Sequence, residues 1–597
     1  MEKIREALKK VIYALYGVEL EADVTVAPEG TGADYATNVA MRLAKVAHKA
    51  PMIIAEEIKA RLDAGEIETD EGTKDVSLEG FTVTVAAPGF LNFISPDEYF
   101  AEKVGVIAGN VGDFLGKNIS QGEYSGKTVV AEFSDPNPFK VLHVGHLYTS
   151  VVGDSISRIL ELAGAKVVRA NFGGDVGLHV GKTMWALSRK DVSLDELKIE
   201  DIAKCYVEGT QAYEENEEAK AEIVALNKVF YAVAELGAER SQERLEIEAL
   251  AEDFGMSTVE MMKLVELYWR GRELSYEYFE DFYAKIGVKF DKYYPESSVA
   301  GRGLKEVREH TGTVYEESEG AIVYHGEKLG LHTRVFINRE GVPTYEAKDV
   351  GLIFTKWDDW HFDESVVVTG NEQTEYMKVV LASVAEYAPK LVERTSHLTH
   401  GLVKLPGNVK MSSRKGNFLK AVDVLEMVQE ILGGAEADSR IVLAAIKYAF
   451  LKYKMGGDIV FDPQESVSTT GNSGVYLLYS AVRAKKVLQK VGGSSSSRGN
   501  EAVASVSQDT SEAASVRNLS KKVVQYKEVV QEAVAEKAPN KICTYLYELA
   551  QEFSRFYENV KVAGSEREGE LAQLVKAYLN VMEHGLGLLG IEVPEEM

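Results

Sequence analysis

Apolar residues at Ile4, Leu8, Ile12 and Leu15, with charges between them, recur at the spacing of an amphipathic helix, and Gly17 stands where a C-cap would close it. The period shortens to two in Phe81-Thr-Val-Thr-Val85, a strand pattern that ends at Pro88-Gly89-Phe90. Residues 1–120 therefore read as an α+β domain. From about 125 the pattern changes again. Thr128 to Phe133 is rich in β-formers, Leu147, Val151, Ile159 and Leu162 mark a helix closed by Gly164, and Lys166 to Ala170 begins a second strand. Strand, helix, strand in that order predicts a βαβ unit with parallel strands and a right-handed crossover. The stretch 190–285 is charged and helical and reads as an insertion, after which strand and loop signals resume at Val288. From about 466 nearly everything is helical, apart from Gly492-Gly-Ser-Ser-Ser-Ser-Arg-Gly-Asn500 and the polar run after it, which reads as a flexible loop. The chain thus divides into 1–120, an α/β parallel-sheet region 121–465 carrying the insertion, and an all-α region 466–597, without internal repeats.

Length supports that division, since 597 residues exceed what one hydrophobic core organises. With 45% hydrophobic and 27% charged residues the composition is that of an ordinary globular protein, and no apolar run is long enough to span a bilayer. The charges inside the first helical pattern exclude a signal peptide there. Cys205 and Cys543 stand alone, which argues against a disulfide framework and against a cysteine-rich zinc site, and fits a cytoplasmic location. The sequence assigns no metal ligands. A net charge of −26 counts against a non-specific nucleic-acid binder, although a local basic face remains compatible with it.

Two motifs carry chemistry. Glu132-Phe-Ser-Asp-Pro-Asn-Pro-Phe-Lys-Val-Leu-His-Val-Gly-His146 lies between the first strand and the helix of the βαβ unit. A helix N-terminus offers unpaired N–H groups and partial positive charge to phosphate oxygens, and His143 and His146 add donors there. Gly145 between them leaves room for a flat base. The second motif is Val409-Lys-Met-Ser-Ser-Arg-Lys-Gly-Asn417, a cationic loop with glycines at 407 and 416 that suits closure over a triphosphate. Either alone is weak, because paired histidines often only share a helix face and basic turns are usually solvated. Their order in one α/β chain, about 265 residues apart, is far more specific.

HVGH and KMSSR resemble the two signatures of class I aminoacyl-tRNA synthetases, whose Rossmann-type domain joins an amino acid to the α-phosphate of ATP. Ser134-Asp-Pro-Asn137, Lys140, His143-Val-Gly-His-Leu147, Gly153-Asp154 and Arg169-Ala-Asn-Phe-Gly-Gly-Asp-Val-Gly177 are similar specifically to the arginyl members. Asp34-Tyr-Ala-Thr-Asn38 and Pro88-Gly-Phe-Leu-Asn-Phe93 resemble that family's N-terminal domain, which meets the D-loop of tRNA. Gly471-Asn-Ser-Gly-Val-Tyr-Leu-Leu-Tyr-Ser-Ala-Val-Arg483 resembles the start of its helical anticodon-binding domain, and Leu588-Leu-Gly-Ile-Glu-Val-Pro-Glu-Glu-Met597 its last helix and tail. Small nucleotidyltransferases share only the HxGH unit, and a non-catalytic RNA-binding relative would be expected to lose one of the two motifs.

The resemblance implies ligation of L-arginine to tRNA(Arg) through arginyl-adenylate, with ATP and Mg²⁺, by a monomer, and with activation that awaits tRNA. His143, His146, Lys140 and Lys410 are the implied catalytic donors, and ATP would meet His143, Gly145, His146, Lys410, Met411, Ser412, Ser413, Arg414 and Lys415. Ser413 replaces the usual second lysine of the loop, so its role falls to Lys140, Arg414 or Lys415. Arginine selection requires carboxylates, because a guanidinium offers five donors in a fixed fork. Asp349 and Glu296 match the family's guanidinium partners, with Tyr345 beside them, while Asn137 and Gln373 match the α-amino and carboxylate end near Ser134, Glu132 and His146. For tRNA the resemblance points to Asn38, Tyr476, Tyr479 and Arg483. Basic and aromatic residues interleave around the last three, with Lys485, Lys486, Lys490, Lys521, Lys522, Tyr526 and Lys527.

Overall fold

The computed structural model describes residues 1–28, 30–69, 72–116, 119, 121–407, 419–494 and 510–597. It divides into two compact units, one built from 1–114, 487–526 and 551–580, the other from 115–486, 527–550 and 581–597.

In the first unit, α1 (Glu2–Tyr16) buries Ile4, Leu8, Val11 and Ile12 and ends at Gly17, whose φ of 63° is the left-handed conformation that the C-cap requires. Strands β1 (Val24–Val26), β2 (Tyr35–Thr37), β3 (Thr82–Ala86) and β4 (Phe90–Ile94) form an antiparallel sheet in the order β1-β2-β4-β3. The alternation from Phe81 to Val85 turns Val83 into a core with Tyr35, Leu91, Phe93 and the buried face of α1. The helix Thr510–Val524 joins the same unit. Its Arg517 donates to Asp34 Oδ2 at 2.9 Å and to the Ser95 carbonyl at 3.0 Å, pairs with Asp97, and lies over the Phe100 ring.

The second unit is organised by five parallel strands. They are β5 (Thr128–Glu132), β6 (Lys166–Gly173), β7 (Lys292–Pro295), β8 (Glu364–Gly370) and β9 (Thr395–His400), in the order β9-β8-β5-β6-β7. Val129, Val130 and Ala131 are buried, as expected of a central parallel strand covered on both faces. β5 leads into α2 (Val144–Leu162) and on to β6, the βαβ unit read from the sequence. Helix α2 approaches the sheet so closely that a Cβ on Gly153 would lie 2.1 Å from the Phe133 ring. Across the sheet, α7 (Glu296–Glu309) and α8 (Tyr345–Trp360) cross through glycines, since a Cβ on Gly303 would meet the Ala347 carbonyl at 1.9 Å and one on Gly351 the Val299 carbonyl at 2.2 Å.

Between β6 and β7 come α3 (Ile199–Glu215), α4 (Glu217–Leu236), α5 (Arg244–Asp253) and α6 (Thr258–Ile286), the helices expected of the insertion. They bury a core around Phe230, Met261 and Tyr268 that also takes in Phe139, Val180 and Met184. Toward the end of the chain the described residues are helical, in Gly474–Ser494, Tyr526–Glu536, Pro539–Asn559 and Glu568–Leu588 as well as Thr510–Val524. The expected loop after Gly492 is described only as far as Ser494, where the first of these helices ends, and residues 495–509 lie outside the described residues.

Candidate active site

After β5, β6 and β7 fill one side of the sheet, the chain returns to place β8 on the other side of β5. Ligands of open parallel sheets bind at the carboxyl ends of the strands where the order reverses in this way. A cleft of about 1300 Å³ opens there. The exit of β5 brings Glu132, Ser134, Asp135 and Asn137 to it, and the start of α2 brings His143, Gly145 and His146. Glu296 opens α7, Tyr345 and Asp349 lie in the first turns of α8, and Gln373 and Tyr376 follow β8. The backbone between β5 and α2 is tightly folded, with φ values of 74° at Ser134, 51° at Asp135 and 65° at Phe139, where residues with side chains are uncommon.

His143 caps α2. Its Nδ1 accepts the Gly145 N–H at 3.1 Å, while His146 Nδ1 accepts the His143 N–H at 3.1 Å, and the two rings stack 3.7 Å apart. Burial, with Lys140 nearby, pushes His143 down to about 4, and burial beside His143 and Lys140 pushes His146 well below the usual range. Both imidazoles are therefore neutral near pH 7. Each accepts through Nδ1, so each carries its proton on Nε2, a donor suited to nucleotide oxygens. Gly145 makes room first for its own neighbour, because a Cβ there would lie 2.8 Å from the His143 ring.

The cleft also gathers buried acids. Asp349 is buried, and that burial, together with Glu132 and Glu296, pushes its carboxyl up to about 8 against the opposing hydrogen bond from Tyr376. Glu296 is also raised by burial, although Lys348 Nζ at 2.6 Å opposes the shift. Glu132 pairs with Lys356, which donates also to Ser365 Oγ. Asp135 accepts the Phe172 N–H at 2.8 Å and is held well above its ordinary value by burial and by Glu132. Asn137 Oδ1 accepts the Gly174 N–H at 2.8 Å, which leaves its amide nitrogen as a donor.

Sequence comparison identifies the architecture around this cleft. The family model for the catalytic domain of class I tRNA synthetases (R) matches residues 114–461. The chain belongs to that family. Models for the arginyl-tRNA synthetase N-terminal domain and for the DALR anticodon-binding domain match residues 1–94 and 477–597 of this arginyl-type synthetase. It is similar to an arginine–tRNA ligase of Treponema denticola, 27% identical with all of both chains covered. Another, from Clostridium perfringens, is 28% identical over 97% of this chain and 96% of the relative. In fold it is similar to the arginyl-tRNA synthetases of Thermus thermophilus (22% identity, TM-score 0.72, all of both chains) and Plasmodium falciparum (18%, 0.73, with 100% and 99% covered).

The cleft of this synthetase brings together Glu132, Ser134, Asn137, His143, Gly145, His146, Glu296, Tyr345, Asp349 and Gln373. Lys140 is not on its lining. Its ammonium lies over the Tyr206 ring of the insertion at 5.1 Å, and burial lowers it to about 8. Lys410, Met411, Ser412, Ser413, Arg414 and Lys415 lie outside the described residues, but Lys404 before them and Leu419 after them both line the cleft. The Leu419 carbonyl accepts the Val144 N–H at 2.9 Å.

Tyr476, Tyr479 and Arg483 share one helix, with the Arg483 guanidinium 5.5 Å from the centre of the exposed Tyr479 ring and Tyr476 edge-on to Tyr547. Asn38 is an exposed N-cap. Several of the further basic and aromatic residues expected near them are engaged within the protein. Lys485 pairs with Glu583 and Glu595, Lys521 with Asp34, and Tyr526 is fully buried. Sequence reasoning gave no role to Asp135, Lys348, Lys356, Tyr376 or Arg334. Asp135 stands inside a quoted motif and Lys348 directly before Asp349, whereas the others carry no local signal.

Proposed function

We infer that this arginine–tRNA ligase works by joining two opposed walls of one cleft, the neutral imidazole pair for ATP and the buried carboxylates for the side chain of arginine. The observation that carries the reading is that Glu296 and Asp349, two buried acids on neighbouring helices, line the same cleft as His143 and His146. In activation, a carboxylate oxygen of arginine attacks the α-phosphorus of ATP and the bond to pyrophosphate breaks. The protein supplies mainly position and donors where charge builds up. His143 and His146 offer Nε2–H donors beside the α2 N-terminus, Gly145 borders the base, and the loop Lys410-Met-Ser-Ser-Arg-Lys415 brings cations to the triphosphate, which enters with Mg²⁺ on its own phosphates. Asn137, through amide N–H groups that donate to nothing among the described residues, and Gln373 hold the α-carboxylate and amino end. Glu132, Ser134 and His146 border that end, and Asp349, Glu296 and Tyr345 hold the guanidinium.

In transfer, a hydroxyl of the 3′-terminal adenosine of tRNA attacks the acyl carbon and AMP leaves. We assign 1–120 to tRNA D-loop contact through Asn38, 121–465 to catalysis, and 466–597 to the anticodon through Tyr476, Tyr479 and Arg483. Further parts of the reading are a monomer and a cytoplasmic enzyme, the latter in keeping with two buried free cysteines. No helix of the described residues is long and apolar enough to cross a membrane.

The test is ATP–pyrophosphate exchange with each amino acid in turn, in the presence of tRNA. Arginine alone should support it, and exchange driven equally well by another amino acid would overturn the reading.

A further inference from the structure

The two acids assigned to the guanidinium are each already engaged by the protein through a single oxygen. Lys348 Nζ, on a side chain 3% exposed, donates to Glu296 Oε2 at 2.6 Å and to the Tyr231 hydroxyl at 2.8 Å. The Tyr376 hydroxyl donates to Asp349 Oδ2. Among the described residues Glu296 Oε1 and Asp349 Oδ1 accept no hydrogen bond, and both acids line the cleft. Glu296 Oε1 lies 2.9 Å from where a Cβ on Gly174 would stand, beside the Asn137 amide oxygen at 2.7 Å from the same point.

We propose that Lys348 and Tyr376 are specificity-positioning residues, each holding one oxygen of its carboxylate so that the pocket offers its ligand two single oxygens from two directions. The proposal rests on the reading of this cleft as an arginine pocket. A guanidinium suits such a pair, because its terminal N–H groups point outward in a fixed fork and reach both oxygens at once. An ammonium is a compact point donor, and in this pocket it would lie against the ammonium of Lys348. A urea group presents a carbonyl oxygen to one of the two carboxylates and leaves that acid without its donor.

Asp349 is surrounded from several elements. Tyr376 reaches it from the helix after β8, Glu132 with Lys356 from β5 and α8, Glu296 with Lys348 from α7 and α8, and Asp135 from the β5 exit. Arg334 lines the same cleft, 5.6 Å from the centre of the Tyr376 ring, and its guanidinium pairs with Glu346. Among these groups Tyr376 is the neutral donor on Asp349 itself, so its hydroxyl both orients the carboxylate and favours its ionised form.

The experiment compares wild type with Tyr376→Phe, Lys348→Met and Lys348→Arg, in tRNA-supported ATP–pyrophosphate exchange with arginine, citrulline and lysine across pH 6.5–9. Tyr376→Phe removes one oxygen atom. It should raise KM for arginine about tenfold with a smaller change in kcat, lower the arginine/citrulline ratio of kcat/KM about tenfold, and move the rise of kcat/KM with pH to higher pH. Lys348→Met frees the second oxygen of Glu296 for an incoming ammonium, so the arginine/lysine ratio should fall about tenfold or more, and Lys348→Arg should restore it. A Tyr376→Phe enzyme with the wild-type ratio and pH profile overturns the proposal, even if Lys348→Met fails to fold. A wild type without arginine-dependent exchange would instead defeat the reading of the pocket on which it rests.

Discussion

On the reading of Asp349 as a guanidinium partner, its carboxyl sets how this enzyme responds to pH. Its carboxyl is pushed up to about 8 in the folded protein, so it is largely neutral below that pH, whereas a cationic ligand requires it ionised. Arginine must displace the proton. Its kcat/KM should therefore climb with pH up to about 8 and level off above, while citrulline, which brings no charge, should not follow; a flat arginine profile would remove Asp349 from the pocket. Asp349→Asn keeps the shape and loses the charge. Wild type should prefer arginine over citrulline by roughly 10⁴, as sites built around particular polar partners do, and Asp349→Asn should erase much of that ratio. Asn137→Ala should instead weaken all amino acids together, because the proposed reading assigns its amide nitrogen, which Gly174 does not occupy, to their common end. An unchanged ratio in Asp349→Asn would throw the burden onto Glu296 and Tyr345.

At the scale of elements, the proposed reading gives the work on ATP to the start of α2 and the cationic loop together. Removing one donor that acts in the transition state costs about 10² or more in rate, and that is the loss expected for Lys410→Ala in single-turnover adenylate formation. Lys140→Ala should cost less, about tenfold, because its ammonium lies over Tyr206 and, among the described residues, acts on the two imidazoles through its field. Equal losses in the two variants would bring Lys140 onto the triphosphate and take the missing lysine's role from Arg414 and Lys415. Local elements such as the start of α2 were legible in the sequence. A β-rich run, a loop with two histidines and an apolar helical face are consecutive, and they fold where they stand. What could not be read is what strand order brings together. Lys356 meets Glu132 across 224 positions because β8 lands beside β5, and Tyr376 reaches Asp349 only once α8 and the helix after β8 are packed. The basic and aromatic residues near the C-terminus were illegible for a related reason. Composition gives the charge of a helix but not which partners its side chains find, and Lys485 and Lys521 pair with acids while Tyr526 is fully buried.

The whole molecule carries a net charge of −26 and yet must hold a polyanion, so its contacts with tRNA have to be confined to local faces. If bound RNA also completes the active site, as the family resemblance implies, pyrophosphate exchange should be lost when tRNA is omitted and should return when it is added. Full exchange without tRNA would defeat that expectation while leaving the ligase function intact. The unit that holds residues 1–114 has a further consequence for how the protein is made. Asp34 is 5% exposed, and the guanidinium that meets it belongs to Arg517, 483 positions later. At translation rates of about 5–20 residues per second, roughly 25 to 100 s separate the synthesis of the two. During that interval the first strands can pair and the core under α1 can close, but the face around Asp34, Ser95 and Phe100 waits uncovered for a helix not yet made. A ribosome that stalls anywhere before Arg517 releases a fragment with that face open, a surface that chaperones and proteases can tell apart from the finished protein.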